Sequence, residues 1–136
     1  MLCLHAVLAA ACGFPRGSAL AWVEGEGLAS ALSSKEREFL TGSTRYTSHD
    51  FEWRFEAIFA LVWCCNLKDK LSMALPCPDD LIAQFPDLRK LETSHRMRSS
   101  VSMRPDFEIV AQADLCECLH WAVRDAFWNA VLRLGG

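Results

Sequence analysis

The chain has 136 residues and a mass of 15.3 kDa, which suits one hydrophobic core and one ordinary domain. Hydrophobic residues make up 51%, with eight Phe and five Trp, and that content excludes a disordered chain. A net charge of −3 with both signs interspersed gives no general push toward nucleic acid or anionic lipid.

Ala and Leu together number 35 against 14 for Val, Ile and Thr, so strong helix formers outweigh β-branched residues and an all-α fold is predicted. The opening run Met1 to Phe14 is too short and interrupted to span a bilayer. It holds no Lys or Arg before Ala11, as a secretory signal would, so it reads as a packed helix from Leu2 to Cys12, ended by Gly13-Phe14-Pro15. Ser18 is a plausible cap for a second helix, Ala19 to about Leu28. Ser33-Ser34-Lys35-Glu36 matches a capping box, in which hydroxyl and carboxylate each satisfy a free backbone N–H.

After the polar loop Ser43 to His49, residues 50–65 are apolar nearly all round, which predicts the buried central helix of the domain, with Trp63 in the core. Asn66 stands where a left-handed C-cap residue belongs. Pro76, Pro78 and Pro86 break the next stretch, leaving one short helix around Asp79 to Gln84. Arg89 to Arg104 carries five basic residues against Glu92 alone and reads as a solvated connection. Pro105, Asp106 and Glu108 then open the longest helix, about 105–134. Its predicted core residues include Ile109, Val110, Leu119, Trp121, Val123, Phe127 and Val131, and Gly135-Gly136 ends it. The architecture expected is a compact single domain over 1–136, with the central helix (about 50–65) packed on this C-terminal one (about 105–134).

Trp53-Arg54-Phe55-Glu56-Ala57 with Leu61-Val62-Trp63, and Leu119-His120-Trp121-Ala122-Val123-Arg124-Asp125, resemble the two signature segments of the DUF4272 family. The Pro76 region resembles the connection between them. The resemblance runs from about Val7 to Phe127. It implies a helical fold and no activity, since the family is named for its unknown function. It also implies a chain truncated at both ends relative to the family.

The polar residues in those segments, Arg54, Glu56, His120, Arg124 and Asp125, form the candidate site. If the two helices meet, Glu56 can face His120 or Arg124, and Arg54 can face Asp125 or Asp114. A buried carboxylate–imidazole pair suits acid–base work, with His120, Glu56 and Arg124 as catalytic candidates. The competing reading is a structural ion-pair network that fixes helix register, and it is preferred because no nucleophile stands beside His120.

Seven cysteines, an odd number set in apolar stretches, suggest reduced thiols in a cytoplasmic protein rather than a disulfide framework. Cys116 and His120 share a helical face and offer two ligands of the four that zinc wants, so no metal and no cofactor are expected. The phosphate-loop, nucleophile-elbow and H-E-x-x-H signatures are absent. The expectation is a non-enzymatic protein-interaction protein, of the small bacterial accessory or immunity type, with an unidentified protein partner, no nucleic acid and no membrane. A homo-oligomer stays open. The alternative is a ligand-binding or acid–base enzyme domain using an interhelical His/Glu/Arg pocket.

Overall fold

The computed structural model describes residues 1–72 and 79–134, with the side chains of Asp79 and of residues 131–134 outside that description. Among the described residues there are seven α-helices and no strand, so the fold is all-α. They are α1 (Leu2–Ala11), α2 (Arg16–Gly25), α3 (Ser34–Leu40), α4 (His49–Glu52), α5 (Phe55–Cys64), α6 (His95–Ser100) and α7 (Asp106–Leu134). Three short 3-10 segments, Ala29–Ala31, Asp79–Gln84 and Leu88–Lys90, punctuate them. The Pro76 connection, Cys77 and the Gly135-Gly136 end lie outside the described residues. The chain divides into two units, Met1–Ser102 and Met103–Gly136, and each is described by itself.

In the first unit the central element is α1, where the sequence pattern had pointed to residues 50–65. Cys3, His5, Ala6, Val7, Leu8, Ala10 and Ala11 are all buried, and α1 packs against α2, α3, α4 and α5. Its alanines let neighbouring backbones approach closely, and a helix apolar on every side is stable only when surrounded. Two hydrophobic clusters meet at α1. One joins Ala6, Val7 and Ala10 to Trp22, Val23, Phe39, Leu40 and Phe51. The other joins Leu8 to Ile58, Phe59, Val62, Leu81, Phe85 and Met97.

The helix expected over 50–65 is broken in two. α4 ends at Glu52 and α5 begins at Phe55, with Trp53 and Arg54 in the turn between them. The break has a packing reason: Phe51 points into the first cluster while Ile58 and Phe59 fill the second. Trp53 is left 78% exposed at the corner, so the first signature tryptophan is not a core residue. Trp63, in contrast, is buried as predicted.

Helix ends follow local chemistry. Gly13 (φ +100°) ends α1, with the Phe14 N–H donating to the Ala9 carbonyl at 2.9 Å, the six-to-one bond of a Schellman motif. Asn66 (φ 56°) ends α5 in the same way, as the sequence suggested, with Leu67 N–H donating to the Val62 carbonyl at 3.0 Å. α2 begins at Arg16 with Pro15 as N-cap, so the Ser18 cap is not used. A helix absent from the sequence reading, α6, occupies part of the basic stretch and buries Met97. It is tied to the end of α2, because Ser94 donates from its N–H to the Glu26 carboxylate at 3.0 Å, with the Ser94 hydroxyl on the same oxygen.

The second unit is a single 29-residue helix, α7, about 44 Å long at the α-helical rise. Its start is set by Pro105, whose carbonyl accepts from Glu108 N–H at 3.0 Å. A lone helix offers no second element within its unit to cover apolar side chains. Val110, Leu119, Val123 and Phe127, expected as core, are exposed, and so is Trp121 at 46%. The central helix and α7 belong to different units, so the expected packing of one on the other forms no part of this description. No helix among the described residues is long and apolar enough to cross a membrane.

Candidate functional site

The five polar signature residues are divided between the two units. Arg54 and Glu56 stand in the first unit, and His120, Arg124 and Asp125 stand on α7 in the second. Arg54 finds its carboxylate on α3: Nη1 donates to Oε1 of Glu36 at 2.5 Å, and the guanidinium lies 5.0 Å above the Phe51 ring. Glu36 is itself buried. Its other oxygen, Oε2, closes the capping box by accepting from Ser33 N–H at 2.9 Å and Ser33 Oγ at 2.8 Å. The Glu36 N–H donates back to Ser33 Oγ at 3.3 Å. One carboxylate thus serves a helix start and a signature arginine. Glu56 lies exposed in the first turn of α5, where a negative charge complements the helix dipole.

On α7 the second signature segment is a surface cluster. The Arg124 guanidinium lies 4.2 Å over the Trp121 ring, and the His120 ring meets Trp121 edge-on at 6.1 Å. His120, Arg124 and Asp125 are all exposed. Within α7 the neighbour of His120 is thus an indole, and no carboxylate of this helix bonds its ring to set its tautomer.

The most enclosed polar chemistry lies elsewhere, around His5 on α1. A cleft of about 820 Å³ is lined by His5, Gln84, Phe85, Arg89, Arg96 and Met97, with the carboxylates of Asp87 and Glu92 also in its lining. His5 is 4% exposed, and its ring stacks on Phe85 with centroids 4.6 Å apart and planes 24° from parallel. Its Nε2 lies 3.1 Å from the Pro86 carbonyl, which can only accept, so Nε2 carries the proton. Burial pushes the imidazole pKa down, offset in part by that hydrogen bond, and so favours the neutral ring. Nδ1 is then a bare acceptor, and it has no partner among the described residues. The side-chain Oε1 of Gln84 is a second buried acceptor without one. Leaving such a group unsatisfied costs about 1–3 kcal/mol, which makes both atoms unusual in a folded interior.

The chain matches the family described as "Domain of unknown function (DUF4272)" over residues 1–131. That match takes in both signature segments and the whole of α1 to α6. The chain is a member of the DUF4272 family. No curated protein and no solved structure matches it.

For this DUF4272 member, the signature residues divide between a structural pair, Arg54 with Glu36, and a surface cluster on α7. Cys116 and His120, the pair that helical spacing offers as two ligands, are both exposed on α7. Among the described residues no three His, Cys, Asp or Glu side chains stand close enough to share an ion. Of the cysteines, Cys3 is buried, Cys64 and Cys65 are half-buried, and Cys12, Cys116 and Cys118 are exposed, so burial does not account for the set as a whole.

The cleft escaped the sequence reading for a physical reason. His5 is a lone polar residue in an apolar run, and its partners Phe85 and Pro86 are about 80 positions away, beyond any local pattern. The one available signal was the basic stretch, since Arg89 and Arg96 both line the cleft.

Proposed function

We propose that this DUF4272 protein is a non-enzymatic protein-interaction module that presents α7 to a groove on another protein. The observation that carries the reading is the exposed Arg124–Trp121 stack at the middle of a helix that has no companion within its own unit. Trp and Arg dominate the energetics of protein interfaces, and a guanidinium held over an indole loses little freedom on docking. Leu115, Leu119, Val123 and Phe127 are also exposed along α7, and Leu115, Leu119 and Val123 recur at the spacing by which a helix seats in an apolar groove. The helix carries five carboxylates against two arginines, so the fitting partner has an apolar groove with a basic rim. The free thiols of the first unit suit a cytoplasmic setting.

The test is native mass spectrometry of the full chain purified from its own source, wild type beside a Leu119→Asp, Val123→Asp variant of unchanged circular dichroism. The expected result is a stoichiometric protein companion on the wild type, released by raised salt and absent from the variant. A companion that the variant retains, a homodimer in its place, or a bare monomer overturns the reading.

A further inference from the structure

The cleft around His5 makes two different demands on a ligand. In its wall stand two buried acceptors that no group among the described residues satisfies, His5 Nδ1 and Gln84 Oε1. Each needs an O–H or N–H donor. Its charged lining is mixed, with Arg89, Lys90 and Arg96 beside Asp87 and Glu92, and Glu92 Oε2 accepts from the Asp87 N–H at 2.9 Å. Arg89 and Arg96 make no ion pair among the described residues, whereas Lys90 beside them is engaged with Asp87 at 3.5 Å. Two guanidiniums in one cleft that no carboxylate among the described residues engages favour an anion they can bind through forked hydrogen bonds. In the same lining, Phe85 and Met97 give an apolar surface against which a compact carbon skeleton can lie. The volume, about 820 Å³, falls within the range of small-molecule sites.

Neither demand alone names a ligand. A simple anion leaves the acceptors empty, and a neutral polyol leaves the arginines uncompensated. Together they describe a molecule with an anionic group at one end and hydroxyls at the other. We propose that the cleft binds a small phosphorylated polyhydroxy compound of the sugar-phosphate class, its phosphate on Arg89 and Arg96 and a hydroxyl donating to His5 Nδ1. His5 and Gln84 lie just beneath the cleft surface, so seating the ligand shifts the lining side chains by the small amounts common at binding sites. The site lies wholly within residues 1–102 and stands independently of any partner bound by α7.

The experiment uses the full chain, labelled with nitrogen-15, titrated with ribose 5-phosphate, ribose and inorganic phosphate in turn. The expected result is saturable binding of ribose 5-phosphate that moves the Gln84 side-chain amide and the His5 ring signals. Ribose and inorganic phosphate should each bind more weakly by about tenfold or more, because each meets one demand only. The Arg89→Gln, Arg96→Gln variant alters exposed side chains and keeps the fold; it should lose about tenfold or more in affinity for ribose 5-phosphate. Three results overturn the proposal. One is no shift at these signals with ribose 5-phosphate up to about 10 mM, beyond the range of a specific site. Another is inorganic phosphate binding as tightly as the sugar phosphate. The third is full affinity in the double variant.

Discussion

Arg54 and Glu36, 18 positions apart, form the tightest cross-element ion pair of the first unit, with Nη1 donating to Oε1 at 2.5 Å. The carboxylate is nearly sealed from solvent while the arginine is about one-third exposed. Since Glu36 Oε2 already closes the α3 capping box, the pair ties the start of α3 to the corner between α4 and α5. Arg54→Met leaves a buried charge with one side unmatched and should lower the unfolding free energy by about 2 kcal/mol. Glu36→Gln keeps an acceptor for the cap and should cost less, and the double variant should cost less than the sum of the two. Urea unfolding of the four proteins checks this. A purely additive result would show that the contact contributes nothing to stability.

How legible this fold was depends on the range of the contact concerned. The Ser33–Glu36 box and the Asn66 cap span three to five residues, and both form as the sequence suggests. The second oxygen of Glu36 could not be assigned that way, because its partner is set by how α3 meets α4. The break at Trp53-Arg54 was hidden for a related reason. Residues 50–65 are so uniformly apolar that no periodicity marks where one face gives way to another, and two clusters on either side of α1 decide it. In α7 apolar side chains likewise fall on every face, so pattern alone cannot say which are covered.

Two tryptophans of the signature segments should behave differently. Trp63 is buried beside Phe59 and Val62, and Trp63→Ala should cost about 3–5 kcal/mol. Trp121→Ala removes a half-exposed ring and its contact with Arg124, and should cost about 1 kcal/mol or less. Thermal unfolding followed in the far ultraviolet separates the two. Equal losses would mean that Trp121 is covered in solution.

The C-cap of α1 gives a backbone test. Gly13 sits at φ +100° with open space where a Cβ would go, so Gly13→Ala meets no neighbouring atom and pays only for the conformation. A loss of about 1–2 kcal/mol is expected. Asn66→Gly, at the same position of α5, should fall within about 0.5 kcal/mol of wild type or gain slightly, because Asn already tolerates the left-handed region. Denaturant midpoints of the two variants decide it, and a harmless Gly13→Ala would mean that α1 ends differently in solution.

Stability should depend on pH in two separable windows. The His5 imidazole has its pKa pushed below the ordinary 6.5 by burial, so the unfolded chain takes up a proton that the folded one refuses. Its contribution is therefore full above about pH 6.5 and is lost progressively as pH falls toward the lowered folded value. The Glu26 carboxyl is held below its ordinary 4.5 chiefly by the Ser94 hydroxyl, with the Ser94 N–H and Arg98 adding to it. Its contribution is full above about pH 4.5 and disappears only in more acid solution, as pH falls through the folded value. His5→Gln, which cannot titrate, should flatten the slope below neutrality and leave the acid limb in place. Ser94→Ala should do the reverse, by letting the Glu26 pKa return toward normal. Urea unfolding free energies measured at intervals from about pH 8 to about pH 2 would resolve the windows. A wild-type curve flat through pH 6.5 would mean that His5 is not buried as a neutral ring.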